Sequence, residues 1–380
     1  MSDITDFLNK SGELGERLAH RLRAFEEQLS DAVRTNDRAV DKLTAHLSDA
    51  GGKRLRPLLC FLTAELGPDP LNTHVMHSAL VVELTHLASL YHDDVIDDAP
   101  LRRGVSSAQH IYGNQAAIMA GDVLFARASL LVAQLGPEAV KRHARAFQRL
   151  CMGELHETIG PAEGADPREH YLRVLADKTG SLVAASARDG VLSAGGSRDI
   201  ADAVARFGEK VGVAFQIADD VIDLVSDSDL TGKEPGTDLL EGVNTMPILL
   251  LREHQASSAY STSYGASYGT ASGATGAIDA ADATGTTDAT GAAGVACSVG
   301  YSADPDGREI LDLVDHGDLS DPAHLQRVVA LLRRHPVVEE TRVLARQWAD
   351  DAISELEPLP DGEIKSALVD FAAMMVDRLS

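Results

Sequence analysis

Aromatic residues make up only 4% of this 380-residue chain, which contains a single tryptophan. Strands lean on aromatic and β-branched side chains, so the shortage points away from sheets. Cysteine is also scarce: Cys60, Cys151 and Cys297 are far apart and lack CxxC spacing. This excludes a disulfide framework and a thiolate metal site, and reads as free thiols in a reducing, cytoplasmic compartment. Positive charge is short as well, with 34 Lys and Arg against 58 Asp and Glu and a formal net charge of −24. That surplus argues against a nucleic-acid partner, whose phosphates would be repelled. A small anionic substrate is not excluded if a local basic cluster or bound cations reverse the field. The first twenty residues, MSDITDFLNKSGELGERLAH, carry charge throughout and lack the apolar centre of a signal peptide. No run approaches the ~20 uninterrupted apolar residues of a membrane span, so none is expected.

Helical texture is abundant. ALVVELTHLASLYHDDVID (Ala79 to Asp97) has no Gly or Pro and stops shortly before Pro100, where a helix should end. Asn114 to Leu135 and Lys210 to Val225 read the same way, and sustained period-two alternation is hard to find. The expectation is an all-α fold in one domain spanning residues 1–380. One stretch departs from this texture: Glu253 to Gly307 contains no Lys or Arg and is built from Ala, Gly, Ser and Thr. Such composition cannot bury enough apolar surface to fold alone, so 254–306 is expected to be an inserted, disordered loop. Tyr260, Tyr264 and Tyr268 recur at helical spacing, but Gly265 and Gly269 weaken a helical reading.

The chemistry concentrates in HDDVIDDAPLRRG (His92 to Gly104) and in a second DDVID at Asp219 to Asp223. On a helix Asp93 and Asp97 lie one turn apart on one face with Asp94 beside them, and Asp219, Asp223 and Asp220 repeat the pattern. One such motif is weak, since an acidic run is usually a solvated face. Two copies with identical intervening residues, each bracketed by apolar residues, place carboxylates where uncompensated charge is costly. Hard divalent cations answer that cost, and Mg²⁺ in particular is held by a few carboxylates plus phosphate oxygens.

Basic residues stand nearby in sequence. GGKRLRP (Gly51 to Pro57) carries Lys53, Arg54 and Arg56 after two glycines, Arg102 and Arg103 follow the first acidic motif, and Lys178 with Thr179 stands in ADKTGS. Any one of these is more often a surface ion pair. Together with two metal motifs they suggest a pocket for two phosphorylated substrates. His86 lies two turns before Asp93 on the same side of the helix and is placed to donate a hydrogen bond to a diphosphate.

GGKRLRP, ELTHLASLYHDDVIDDAPLRRG, GNQAAIMAGDVLFARA, DKTGSL, AFQIADDVIDL and TGKEPGTDLLEG, in this order from Gly51 to about Leu251, resemble the motifs of the trans-polyprenyl diphosphate synthases. The resemblance implies a helical bundle around a central cavity, usually a homodimer, that condenses isopentenyl diphosphate with an allylic diphosphate. It implies Mg²⁺ on Asp93, Asp94 and Asp97 and on Asp219, Asp220 and Asp223, with Asp93, Asp97, Asp219 and Lys178 central to catalysis. It assigns Lys53, Arg56, His86 and Arg103 to isopentenyl diphosphate and Arg102 to the allylic side. Lys178, Thr179, Gln216 and Lys233 match allylic or active-site positions. In the implied reaction the allylic C–O bond ionises, the isopentenyl double bond attacks the cation, and a proton leaves to the departing diphosphate. Val243 stands where the family often has another Lys, which removes one diphosphate contact.

Ala88, five residues before Asp93, is small, as are Thr85 and Ser89, and DDVID carries no insertion. Short-chain members of the family carry bulky residues there, so a product longer than farnesyl diphosphate is expected. The alternatives are a farnesyl or geranylgeranyl diphosphate synthase and a non-catalytic partner subunit, although such subunits usually lose the aspartates or the basic motifs. A metal-dependent phosphohydrolase would leave the twin DDVID unexplained. A class I terpene cyclase would replace the second motif with an Asn/Ser/Glu-type triad.

Overall fold

The computed structural model describes residues 2–225, 235–265 and 304–377. Their order is α1 (Ser2–Lys10), α2 (Gly12–Val33), α3 (Arg38–Asp49), α4 (Leu55–Ala64), α5 (Thr73–Ile96), β1 (Leu101–Arg102), β2 (Val105–Ser106), α6 (Ala108–Tyr112), α7 (Asn114–Ala133), α8 (Pro137–Ile159) and α9 (Pro167–Leu175). A π-helical turn, Ala176–Gly180, leads into α10 (Ser181–Ser193) and α11 (Arg198–Val225). After them come α12 (Thr237–Leu240), α13 (Met246–Gly265), α14 (Pro305–His316), α15 (Pro322–Arg334), α16 (Pro336–Ser354) and α17 (Glu363–Val376). The all-α expectation holds, with one two-residue antiparallel hairpin among the described residues.

Local chemistry sets the helix starts. Pro137, Pro167, Pro305, Pro322 and Pro336 each open a helix, where a missing N–H costs nothing. Asn72 accepts from His74 N at 2.9 Å to cap α5, and Asp166 accepts from Arg168 N at 2.8 Å to cap α9. The motif helices α5 and α11 are buried over most of their length, from Val75 to Asp94 and from Ala201 to Leu224. Helix α5 packs along α7 and also meets α4 and α10, while α11 lies against α10 and α16. A helix contacted on several sides needs apolar residues nearly all round, which is why these two read as apolar runs. Glycines allow the closest approaches: a Cβ on Gly121 of α7 would lie 3.0 Å from Ala88 O and closer still to His92.

Helix α7 is long and apolar enough to cross a membrane, by length and composition only. It carries Asp122 and Arg127, runs along α5, and Arg127 donates to Ala32 O at 2.5 Å. Residues that looked like part of an inserted loop are also partly helical, because α13 continues through Gly265. The remainder of that segment, 266–303 with Tyr268, lies outside the described residues, as does Cys297. Its flanks meet. Gln255 Nε2 donates to Asp304 Oδ2 at 3.2 Å, and His335 Nε2 lies 3.1 Å from the same oxygen. Replacing 257–303 by a short Gly–Ser linker is therefore expected to leave turnover intact. The shorter loop costs less closure entropy, so stability should hold or rise by roughly 1–2 kcal/mol. A thermal melt and a turnover assay check this, and loss of either would give the segment a structural role.

Candidate active site

A cavity of about 740 Å³ opens between α4, α5, α8, α10 and α11. Lys53, Arg56, His86, Asp93, Asp97, Arg102, Arg103, Lys178, Thr179, Gln216, Asp219, Asp220 and Asp223 all line it. Of the other expected residues, one is described and lies off the wall. Asp94 is fully buried and turned to Arg102, whose Nε donates to its Oδ1 at 2.5 Å. Lys233 lies outside the described residues.

The acidic side is built on helix geometry. Asp93 faces the cavity from the last turn of α5, and Asp97 caps that helix, its N–H bonded to Asp93 O at 2.8 Å. Burial pushes the Asp93 carboxyl up to about 7, and Glu154 on α8 adds to the rise. Asp219 and Asp223 project from α11 one turn apart. Asp223 also accepts from Thr237 N at 3.2 Å and Asp238 N at 3.4 Å, so it anchors α12. Asp220 is almost wholly buried: Tyr171 Oη lies 2.9 Å from each of its oxygens and Met246 N donates to Oδ2 at 3.1 Å. Burial, followed by the nearby Asp238, holds it well above the usual carboxylate range. Asp220 thus ties α11 to α9 and α13.

Lys178 and Thr179 reach the wall from the π-helical turn, an irregularity that re-aims side chains inside otherwise regular helix. The turn sits close to α8, where a Cβ on Gly153 would come within 2.5 Å of Lys178 N. Lys178 pairs with Glu154 at 3.0 Å and with Glu157. Burial opposes its charge, yet Glu157 and Glu154 together hold it above the usual lysine range. Sequence reasoning missed both glutamates. GELHE offered only i, i+3 acids on an amphipathic helix, which reads as a solvated face.

The basic side centres on Glu83, a buried carboxylate of α5. Arg54, in a left-handed conformation at the start of α4, donates to Glu83 at 2.9 Å and to Glu26 of α2 at 2.7 Å. Arg103 occupies the tight turn between β1 and β2 with positive φ and donates to Leu47 O at 2.8 Å and to Gly51 O. A Cβ on Gly52 would lie 2.9 Å from Arg54 Nη1 and 3.1 Å from the Arg103 guanidinium, so glycine there leaves room for both arginines beside the loop. Arg56 keeps a buried Nε without a hydrogen-bond partner. Burial, followed by Arg56 and Arg103, drives His86 well below the usual histidine range, leaving it neutral. This wall is preorganised for an anion. Arg54 also lines the cavity and is held by its pairs with Glu26 and Glu83, and Arg54→Leu is expected to cost about 3–5 kcal/mol by stranding buried Glu83. Denaturant unfolding measures the loss.

The donor set fits a hard divalent cation. Among the described residues no group of three or more His, Cys, Asp or Glu could hold a metal alone. Carboxylates from two helices that share one cavity suit an ion completing its shell with water and phosphate oxygens. Lys178, already paired with two glutamates, is the cation beside them.

Helices of this arrangement, with paired acidic motifs and a basic cluster lining one cavity, define an isoprenoid-synthase bundle of the prenyltransferase class. The polyprenyl synthetase family model matches residues 37–278, and the chain belongs to that family. The chain is 38% identical over 354 residues to the nonaprenyl diphosphate synthase of Mycobacterium tuberculosis, covering 93% of this chain and 91% of that one. The polyprenyl synthase of Caulobacter crescentus, solved with calcium and isoprenyl diphosphate, superposes with a TM-score of 0.77 at 27% identity over 98% of both chains. The geranylgeranyl pyrophosphate synthase of Corynebacterium glutamicum, solved with the same ligands, gives 0.73 at 34% identity, covering 97% of this chain and 98% of that one.

Proposed function

We propose that the cavity condenses isopentenyl diphosphate with an allylic diphosphate, depends on Mg²⁺, and extends the product to medium or long chain length. The observation that carries the reading is that the two DDVID segments and Arg56, His86 and Arg103 line one cavity. Mg²⁺, when bound, supplies the charge withdrawal that lets the allylic C–O bond break. Asp93 and Asp97 on one side and Asp219 on the other would hold it, with Asp223 in support. The calcium and isoprenyl diphosphate in the two solved relatives accord with a divalent ion and that substrate class.

The chain's own groups do the rest. Lys178 and Arg102 bear on the allylic diphosphate with Thr179, Gln216 and Lys233, while Lys53, Arg56, Arg103 and neutral His86 take isopentenyl diphosphate. Two fixed diphosphates place the isopentenyl double bond against the allylic carbon, and the departing diphosphate accepts the proton lost afterwards. The floor bears on product length. Ser89, Leu150, Leu182 and Phe215 line it, and Leu150 and Leu182 also belong to an aliphatic cluster with Val82 and Ala146. The name of the nonaprenyl relative accords with a long product. Incubating the protein with labelled isopentenyl diphosphate, Mg²⁺ and primers from dimethylallyl to geranylgeranyl diphosphate, then sizing the products, tests this. A ladder ending beyond the C20 prenyl chain is expected, and termination at farnesyl or geranylgeranyl diphosphate would reject the length.

We also place the protein in the cytoplasm as a homodimer. Only a third of the apolar window of α7 is buried, and Ile118, Met119 and Leu130 stand 40%, 59% and 70% exposed. A second copy would cover that face. Met119→Asp combined with Leu130→Asp is expected to halve the mass seen by sedimentation. A wild-type monomer, or one that partitions onto lipid vesicles, would reject the assembly.

A further inference from the structure

On a chain of net charge −24, a second cavity of about 280 Å³ gathers arginines between α8, α10 and α11. Five guanidiniums face it, against the carboxylates of Asp189 and Glu209. Several of these cations are spoken for. Arg142 pairs with Asp189 at 2.7 Å, Arg149 with Asp177 at 2.6 Å and with Glu209, and Arg206 with Glu355 at 2.6 Å.

Three donors on the cavity wall remain. Arg145 is exposed and makes no ion pair among the described residues. Arg188 pairs with Asp202 through Nη2 at 3.0 Å but leaves its buried Nε without a partner. Ser181, 3% exposed, has a hydroxyl with no hydrogen-bond partner. Buried polar groups are rarely left unpaired, because each costs about 1–3 kcal/mol. Two of them beside an excess of arginine forks are suited to the oxygens of one anion.

We propose that this cavity is a second binding site, for a phosphate-class anion such as inorganic diphosphate. It shares no lining residue with the catalytic cavity. The cluster of Val82, Ala146, Leu150 and Leu182 lies between them, Ala146 on the wall of one and Leu150 and Leu182 on the wall of the other. Arg149 links the two sites, donating to Asp177 and to Ala176 O in the turn whose next residues are Lys178 and Thr179.

Equilibrium dialysis of the full chain against radiolabelled inorganic diphosphate, without divalent cation, tests the site. The basic wall of the catalytic cavity also takes diphosphate, so two classes of site are expected. Arg145→Ala together with Arg188→Ala should remove one class, with turnover at saturating substrate unchanged. Arg145→Ala alone touches an exposed, unpaired side chain and cannot unfold the protein. It should weaken the same class at least about tenfold, the worth of one charge-assisted hydrogen bond. An Arg145→Ala isotherm identical to wild type would overturn the site. So would a single class in the wild type that Arg56→Ala removes.

Discussion

Asp93→Asn is expected to lower kcat by about 10³-fold or more, with its Mg²⁺ requirement displaced to higher concentration. Asn keeps the size of the side chain and removes the charge, so the change reports on electrostatics rather than on packing. Taking one preorganised group from a developing charge typically costs about 10²–10³ in rate. A metal ligand acts through the ion's whole charge, which places this variant at the upper end. Its neighbour supplies the internal control. Asp94 lies one residue on, yet its Oδ1 is committed to Arg102 and it is absent from the cavity wall. Asp94→Asn should therefore leave the Mg²⁺ dependence in place and raise KM for the allylic substrate, because Arg102 loses its buried partner. Turnover measured across a Mg²⁺ titration distinguishes the two. Equal displacement of both curves would return Asp94 to the metal, and an Asp93→Asn enzyme with more than a tenth of wild-type turnover would reject the first motif as the ion's holder.

The contrast between these adjacent residues marks the limit of the sequence. Two DDVID copies on helices fix which carboxylates share a face, because i and i+4 stand one turn apart whatever surrounds them. Whether the intervening Asp94 points to the cavity depends on the hairpin that brings Arg102 against it, a contact eight residues away in sequence. The same holds for the basic wall. GGKRLRP announced an anion site through its glycines and cations. That Arg54 is tied down by two carboxylates followed only from Glu26 and Glu83, on two other helices. Glu154 and Glu157 were invisible because acids at helical spacing on α8 look solvated until a π-helical turn delivers Lys178 to them. The fold class was legible for the opposite reason. Helices as extensively buried as α5 and α11 carry long apolar stretches, and the acidic motifs stand out at their C-terminal ends.

Product length turns on a choice between two neighbours. Ala88 precedes Asp93 by five residues and is small, but it is fully buried and absent from the cavity wall, and its carbonyl meets α7 at Gly121. A phenylalanine there would press on the α5–α7 contact, where overpacking costs about 1–3 kcal/mol. Ser89 lines the cavity, its hydroxyl turned back to His86 O at 2.9 Å. Ser89→Phe would add a ring to the wall of the cavity that Leu150 and Leu182 also line, taking room from a lengthening prenyl chain. The expected result is a product shortened by several isoprene units. Ala88→Phe, by comparison, should lower the melting temperature more than it shortens the product. Sizing the dephosphorylated products of both variants, beside their thermal melts, decides the matter. An unchanged ladder from Ser89→Phe would mean that the chain grows past another wall, and shortening by Ala88→Phe without loss of stability would put the tunnel on the α7 side of the helix.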